Sequence, residues 1–270
     1  MVDTVSDFAG SIPEYYDSSL GPAWFDAFGA DLVQRLPELP PGDVLETACG
    51  TGIVTRRLRD RLDSSIRLVA TDLSKPMLNY ARYKLRERKD IEWREADATQ
   101  LPFEDDTFGA VVCAFGVIFC PDKPAVFREA RRVLRKGGIF LFNVWDRIEE
   151  NPHAVVTAAL MERLFPGDAE MRFSVPFEMY DPGLLRRFLG EAGFLESRIE
   201  TKRVEVDGLS ARKIALGYIR GTTRSALIEK RGVSLAEMVD MAAAELAKIG
   251  GADPYRGHAS AVVVEANANG

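Results

Sequence analysis

The residues with the clearest chemical potential lie at the end of an apolar run. Glu46 follows Val44-Leu45 and opens the small-residue stretch Thr47-Ala48-Cys49-Gly50-Thr51-Gly52, which leads into a helix-like segment from Ile53 to Leu62. A buried strand that turns sharply into a helix N-terminus gathers backbone N–H groups and a positive dipole end at one point. An acidic residue at that point repels phosphate but accepts hydrogen bonds from an ammonium group. The combination suits a ligand with an amino-acid head and a nucleoside body better than a pyrophosphate. The same residues also fit a strand-to-helix turn that holds no ligand.

The elements that must position this turn follow a strand-then-helix rhythm from about residue 43 to residue 193. Strands are expected over Val44–Ala48, Leu68–Thr71, Ile91–Ala96, Ala110–Phe115 and Ile139–Val144, with later strands over 198–206 and Ser260–Glu265. Helical stripes recur at Val54, Leu58 and Leu62, at Leu78, Ala81 and Leu85, and at Phe127, Ala130 and Leu134. Ser74 reads as an N-cap with Pro76 in the first turn, and Gly137 as a helix stop after Lys136. Near-continuous apolar strands alternating with helices mean a parallel sheet covered on both faces, with ligands at the carboxyl ends of the strands. The expected class is α/β, a doubly wound, mostly parallel seven-stranded sheet with a helical lid.

Three segments depart from the rhythm. Residues 1–42 form an expected N-terminal helical cap, closed by the Pro-rich break Leu39-Pro40-Pro41-Gly42. Residues 43–207 and 258–270 form the sheet domain, with 145–180 as a lid segment. Residues 208–257 form a helical insertion before the last strand. The tail after Glu265 is expected to fray.

Composition narrows the partners. The chain has 270 residues, 46% hydrophobic and 28% charged, an ordinary globular balance. Its net charge of −6 disfavours nucleic acid and anionic membrane surfaces. No apolar run is long enough to span a bilayer, and Met1 to Pro13 lacks the basic-then-apolar order of a secretory signal. Cys49, Cys113 and Cys120 leave one cysteine unpaired in any disulfide scheme and lack metal-knuckle spacing, so a reduced, cytoplasmic, metal-free protein is expected. Self-association is left open.

Glu46-x-Ala48-x-Gly50-x-Gly52 resembles the first motif, [D/E]-x-G-x-G-x-G, of class I S-adenosylmethionine (SAM)-dependent methyltransferases. Ala48 stands where the family has its first glycine, a change that keeps the turn if positive φ is not required there. Val69-Ala70-Thr71-Asp72-Leu73-Ser74 resembles the second motif. The resemblance implies that Asp72 takes both ribose hydroxyls, for which a carboxylate has enough acceptor oxygens. It counts Leu73 among the cofactor contacts and lays Met77 against adenine.

Glu95-Ala96-Asp97-Ala98 resembles the third motif, which implies that Asp97 accepts the adenine amino group while the Ala98 N–H donates to a ring nitrogen. Phe115 matches the position lining the methionine part, and Tyr16 resembles an N-terminal tyrosine that closes over the cofactor. The match covers about residues 43–144 and resembles the ubiquinone/menaquinone-biosynthesis-like branch in sequence style. The Asn/Asp-Pro-Pro-aromatic motif of many DNA and glutamine methyltransferases is absent after the fourth strand.

The implied activity is transfer of a methyl group from SAM to an O, N or C nucleophile of a small organic acceptor, leaving S-adenosylhomocysteine. Such a reaction needs chiefly an aligned nucleophile and exclusion of water. His153, after the fifth strand, is the candidate general base, since a neutral imidazole can take a phenol or amine proton near pH 7. A helix-start role for His153 is the competing reading. Two other functions stay open at this point: a SAM-binding protein without transferase activity, and a nicotinamide-dependent oxidoreductase, which the missing third glycine of its fingerprint disfavours.

Overall fold

Alternating side chains of the central strands enter two separate cores, as a sheet covered on both faces requires. Val44, Leu68, Ala110, Val112, Ile139 and Leu141 belong to one core; Leu45, Val69, Val111, Cys113, Phe140 and Phe142 belong to the other. The computed structural model describes residues 10–38 and 42–269, so the first part of the N-terminal cap and residues 39–41 of the expected Pro-rich break lie outside the described residues.

The chain begins with α1 (Ile12–Tyr15), which runs directly into a π-helical stretch (Tyr16–Phe25) and then α2 (Asp26–Gln34). The wide turns of this stretch contain Pro22, which has no N–H to give to an α-helical ladder. The sheet rhythm follows as β1 (Asp43–Glu46), α3 (Ile53–Arg61), β2 (Leu68–Asp72), α4 (Lys75–Lys84), β3 (Ile91–Glu95), β4 (Phe108–Ala114), α5 (Lys123–Val133) and β5 (Leu134–Trp145). After β5 come α6 (Pro152–Leu164), α7 (Pro182–Glu191), β6 (Glu196–Leu209), α8 (Ala211–Arg220), α9 (Arg224–Lys230), α10 (Leu235–Gly250) and β7 (Tyr255–Asn267).

The seven strands form one sheet in the order β3-β2-β1-β4-β5-β7-β6. Pairing is parallel from β3 to β5, and β7 runs antiparallel to both of its neighbours. The strand order reverses between β1 and β4, which puts a crevice at their carboxyl ends. Ser74 caps α4 as expected, its hydroxyl accepting from the Met77 N–H.

Two local expectations fail. Helix α5 ends at Val133, before Gly137, because Leu134 takes an extended conformation and pairs with Phe108 of β4. The tail after Glu265 is not frayed through Ala268. Asn267 continues the ladder, Ala268 exchanges backbone hydrogen bonds with Gly137 and Gly138 at 3.1 and 2.8 Å, and Ala266 and Ala268 are fully buried.

Helix α2 ties the N-terminal segment to the antiparallel half of the sheet. Arg35, just past its end, binds Asp31 at 2.7 Å, Glu200 of β6 at 2.8 Å and Glu265 of β7 at 2.9 Å. Asp17 accepts from Lys84 and from the Tyr80 hydroxyl at 3.4 Å, which fixes the π-helical stretch to α4. Helix α8 also packs against this stretch, so the N-terminal segment lies between α4 and the insertion after β6.

Candidate functional site

The turn after β1 is built by backbone bonds to the strands on either side. Thr47 N–H donates to Val112 O of β4 and Cys49 N–H to Thr71 O of β2, each at 2.9 Å. These bonds curl the chain so that Ala48 (φ 52°), Gly50 (φ 55°) and Gly52 (φ 79°) all adopt left-handed backbone. Gly52 then serves as the N-cap of α3. Positive φ is therefore required at Ala48, and the condition under which alanine would replace glycine freely is not met. A left-handed alanine costs about 1–2 kcal/mol.

Glu46, Asp72 and Asp97 lie along the carboxyl ends of three adjacent parallel strands. Glu46 pairs with Ala70, two residues before Asp72; Asp72 pairs with Glu95, two residues before Asp97. The Asp72 carboxylate accepts from the Gly50 N–H and the Ser74 N–H, both at 2.7 Å, so it joins the first turn to the second. Burial raises the Asp72 carboxyl above its ordinary range, opposed by these two hydrogen bonds. The charges of Asp97 and Asp72 both act on the Cys120 thiol, which burial chiefly pushes up to about 12.

Glu46 is the most deeply buried acid of the group. Burial pushes its carboxyl up to about 8, against the nearness of Thr55 and with help from the Asp72 charge. Glu46 Oε2 is sealed from solvent without a hydrogen-bond partner, and so are the hydroxyls of Thr47, Thr51 and Thr55. Unpaired buried polar atoms are rare enough that a cluster of them around a left-handed turn marks a place for a polar ligand. An ammonium group beside Glu46 would hold its carboxylate ionised.

Beyond β4 the chain makes a second left-handed step at Phe115 (φ 55°). Asn143 of β5 holds it there: its side-chain Oδ1 and its backbone carbonyl accept from the Phe115 N–H at 3.0 and 3.1 Å. The Asn143 Nδ2 remains buried and unpartnered. Around Phe115 gather Phe25 (5.3 Å between ring centroids), Phe28 (5.5 Å) and Trp145 (4.4 Å), and Phe177 packs on Trp145 at 5.5 Å. Tyr16 stacks on Phe25 at 4.9 Å, which carries the aromatic lining to the N-terminal segment. Burial raises the Tyr16 phenol, and the nearby charges of Asp72 and Asp17 add to the effect, so it stays protonated beside the Asp72 strand end.

His153 lies wholly inside this aromatic wall. It stacks on Trp24 at 4.3 Å, and its Nδ1 shares a hydrogen bond with the Tyr218 hydroxyl of α8. Helix α6 is held in place by Asn151, which accepts from the Ser260 N–H at 2.9 Å and donates to the Ser260 carbonyl at 3.1 Å. Burial drives the imidazole down from 6.5 to about 3, so it is neutral at ordinary pH. His153 Nε2 and Trp24 Nε1 are both buried without a partner.

The sequence-derived residues separate by position. Tyr16, Glu46, Ala48, Gly50, Gly52, Asp72 and Asp97 meet around the carboxyl ends of β1 to β3 and the cap above them. Met77 is buried one turn into α4, Leu73 is 41% exposed at the rim, and Ala98 packs against the larger core. Phe115 sits in the aromatic wall and His153 further along it. Sequence reasoning missed Asn143, Tyr218 and the threonines at 47, 51 and 55. Asn143 carried a readable signal, a lone amide inside the apolar run Phe140-Leu141-Phe142-Asn143-Val144.

Residues 45–142 match the family model described as a methyltransferase domain. They are a class I SAM-dependent methyltransferase domain. The chain is 33% identical over 141 residues to a demethylmenaquinone methyltransferase of Lactococcus lactis, a match covering 50% of this chain and 56% of that protein. A ubiquinone/menaquinone biosynthesis C-methyltransferase of Idiomarina loihiensis is 38% identical over 98 residues, covering 35% of this chain and 39% of the relative. The chain thus spans about half the length, or less, of these relatives.

Among solved structures, phosphoethanolamine N-methyltransferase 2 of Haemonchus contortus superposes with a TM-score of 0.59 at 17% identity, over 94% of this chain and 56% of that one. At that identity the likeness speaks for the methyltransferase fold alone. A nicotinamide-dependent oxidoreductase is set aside on the family match. Among the described residues, no helix is long and apolar enough to cross a membrane, and no group of three or more His, Cys, Asp and Glu side chains could hold a metal ion.

Proposed function

We propose that this protein is a SAM-dependent methyltransferase that moves a methyl group to an O, N or C nucleophile of a small organic acceptor. The observation that carries the reading is the alignment of Glu46, Asp72 and Asp97 along three neighbouring strand ends, beside a left-handed turn lined with unpartnered buried polar atoms. Glu46 is suited to the ammonium of the cofactor, Asp72 to its ribose hydroxyls and Asp97, with the Ala98 N–H, to adenine. Tyr16, Leu73, Met77 and Phe115 are the apolar contacts of this reading. When bound, SAM supplies a methyl group already activated on a sulfonium.

The chain's own residues bind, align and keep water out. The wall of Phe25, Phe28, Phe115, Trp145 and Phe177 favours a flat, apolar acceptor held against the reacting edge. His153 serves in this proposal as a hydrogen-bonding member of that wall. An imidazole held neutral down to about 3 is a weak proton acceptor, so the role of general base passes to solvent or to the acceptor's own ionisation.

The cap is read as residues 1–42, 145–180 and 208–257 around the sheet domain of 43–207 and 258–270. Three free cysteines support reading the protein as cytoplasmic. Isothermal titration with SAM and with S-adenosylhomocysteine tests the core of the reading: no binding of either at high micromolar concentration would remove it.

A further inference from the structure

Arg224, at the start of α9, carries a guanidinium with an unusual set of neighbours. Its Nη2 donates to the Arg172 carbonyl at 3.1 Å, and its Nε is sealed from solvent without an acceptor. Its head lies 4.8 Å over the Phe173 ring. Among the described residues no carboxylate pairs with it. The acids of the same region are committed elsewhere: Arg231 holds Asp168 at 2.5 Å and Glu170 at 2.8 Å, and Glu178 pairs with the Arg172 side chain. Arg224 is half-buried, and the part of its guanidinium removed from water is costly unless an anion and further hydrogen bonds compensate it. Its own acidity reflects this, since burial lowers its pKa to about 10.

The surroundings of Arg224 connect it to the aromatic wall. Phe173 meets the Tyr218 ring edge-on at 5.1 Å, Tyr218 bonds His153, and His153 stacks on Trp24. On its other side Phe173 stacks with Phe177, which packs on Trp145 and so reaches Phe115. Arg224 therefore stands at the far end of a run of packed rings that reaches back to Phe115 beside the strand edge. A cavity of about 160 Å³, lined by Met161, Glu162, Phe165, Asp168, Arg172 and Phe173 among others, adjoins this end at Phe173.

We infer that Arg224 anchors the acceptor through an anionic group, a carboxylate or a phosphate, with the acceptor's apolar body laid along the aromatic lining. This deepens the methyltransferase reading and rests on it for the name of the ligand as acceptor. Arginine suits the task because its planar fork meets either group with two parallel hydrogen bonds.

Thermal denaturation of the full chain at fixed ionic strength tests the anchor, with benzoate, phenyl phosphate and neutral benzamide as probes at low-millimolar concentration. A ligand that binds only the folded state raises Tm. The expected result is a rise of several degrees with benzoate or phenyl phosphate, and little with benzamide. The larger of the two anion shifts names the preferred group. Arg224→Gln loses the anion shift, and Arg224→Lys keeps part of it, which serves as the comparison if the Gln variant does not fold. Equal shifts with benzamide, an anion shift that survives Arg224→Gln, or no shift with either anion would each overturn the proposal. Titration with S-adenosylhomocysteine separates the two readings. Its failure in the wild type removes the methyltransferase, whereas an intact cofactor affinity without any anion shift removes only the anchor.

Discussion

The Cβ of Ala48 fills the space that a side chain on Gly116 would need: a Cβ built at Gly116 would lie 2.3 Å from it. The turn after β1 and the turn after β4 thus interlock, with the side chain on the first and the gap on the second. Restoring glycine at 48 relaxes a left-handed backbone but frees the unfolded chain, for a net gain of up to about 1 kcal/mol. Gly116→Ala loses about 1–3 kcal/mol by overpacking. The double variant Ala48→Gly/Gly116→Ala recovers part of that loss, the remainder owing to Cys113 Sγ at 2.8 Å from the same point. Urea denaturation of the four proteins checks the coupling; strictly additive changes would show that the two turns do not interlock.

Glu46 makes stability depend on pH in a defined direction. Its folded carboxyl holds a proton up to about 8, whereas the unfolded one loses it near 4.5. Across that window the folded state binds more protons, so the contribution of Glu46 becomes steadily more unfavourable as pH rises. Glu46→Gln removes the slope, and its advantage over wild type grows to on the order of a few kcal/mol by pH 8. The same variant binds S-adenosylhomocysteine roughly tenfold or more weakly, because a hydrogen bond to a charged group contributes about 1.5–3 kcal/mol. Parallel pH-dependent denaturation and calorimetric titration read both effects.

Asp72→Asn places an amide where two backbone N–H groups now meet carboxylate oxygens at 2.7 Å. One of those donors would face an NH₂ group and lose its acceptor, a loss of about 1–3 kcal/mol. Stability and cofactor affinity are expected to fall together, since the same carboxylate shapes the turn and faces the ribose in the proposed site. A variant of wild-type stability with undiminished affinity would contradict this double role.

His153 predicts the opposite pH sign. Its unfolded imidazole takes a proton near 6.5 while the folded one stays neutral to about 3, so the fold loses stability as pH falls through that interval. His153→Gln shows a shallower acid slope than wild type in equilibrium denaturation. Tyr218→Phe strips the imidazole of its partner, weakening the fold by about 1–3 kcal/mol while leaving cofactor affinity unchanged.

The parallel half of the fold was readable because its signals are local. Glu46 and Asp72 each close an apolar run, Asp97 follows the alternating strand Ile91–Glu95, and strand ends of consecutive parallel strands fall on one edge whatever the rest does. Gly137 misled because a Gly-Gly pair after Arg-Lys has the composition of a helix end; pairing of Leu134 with Phe108 ends the helix sooner. The tail misled for a similar reason, since its small polar composition says nothing of the ladder that receives it. Asn143, Tyr218 and Arg224 owe their roles to neighbours distant in sequence: Asn143 to Phe115, Tyr218 to His153 and Arg224 to Phe173. No window of local sequence contains those pairs.

Helices α8 to α10 leave the sheet at Leu209 and return at Tyr255, and those two residues are partners in the β6–β7 ladder. The excursion therefore starts and finishes at one doorway. A different excursion could be spliced there without changing the spacing of a single strand, which makes the segment an exchangeable cassette. Lineages sharing the nucleoside-facing half could diverge in diet by trading that cassette alone.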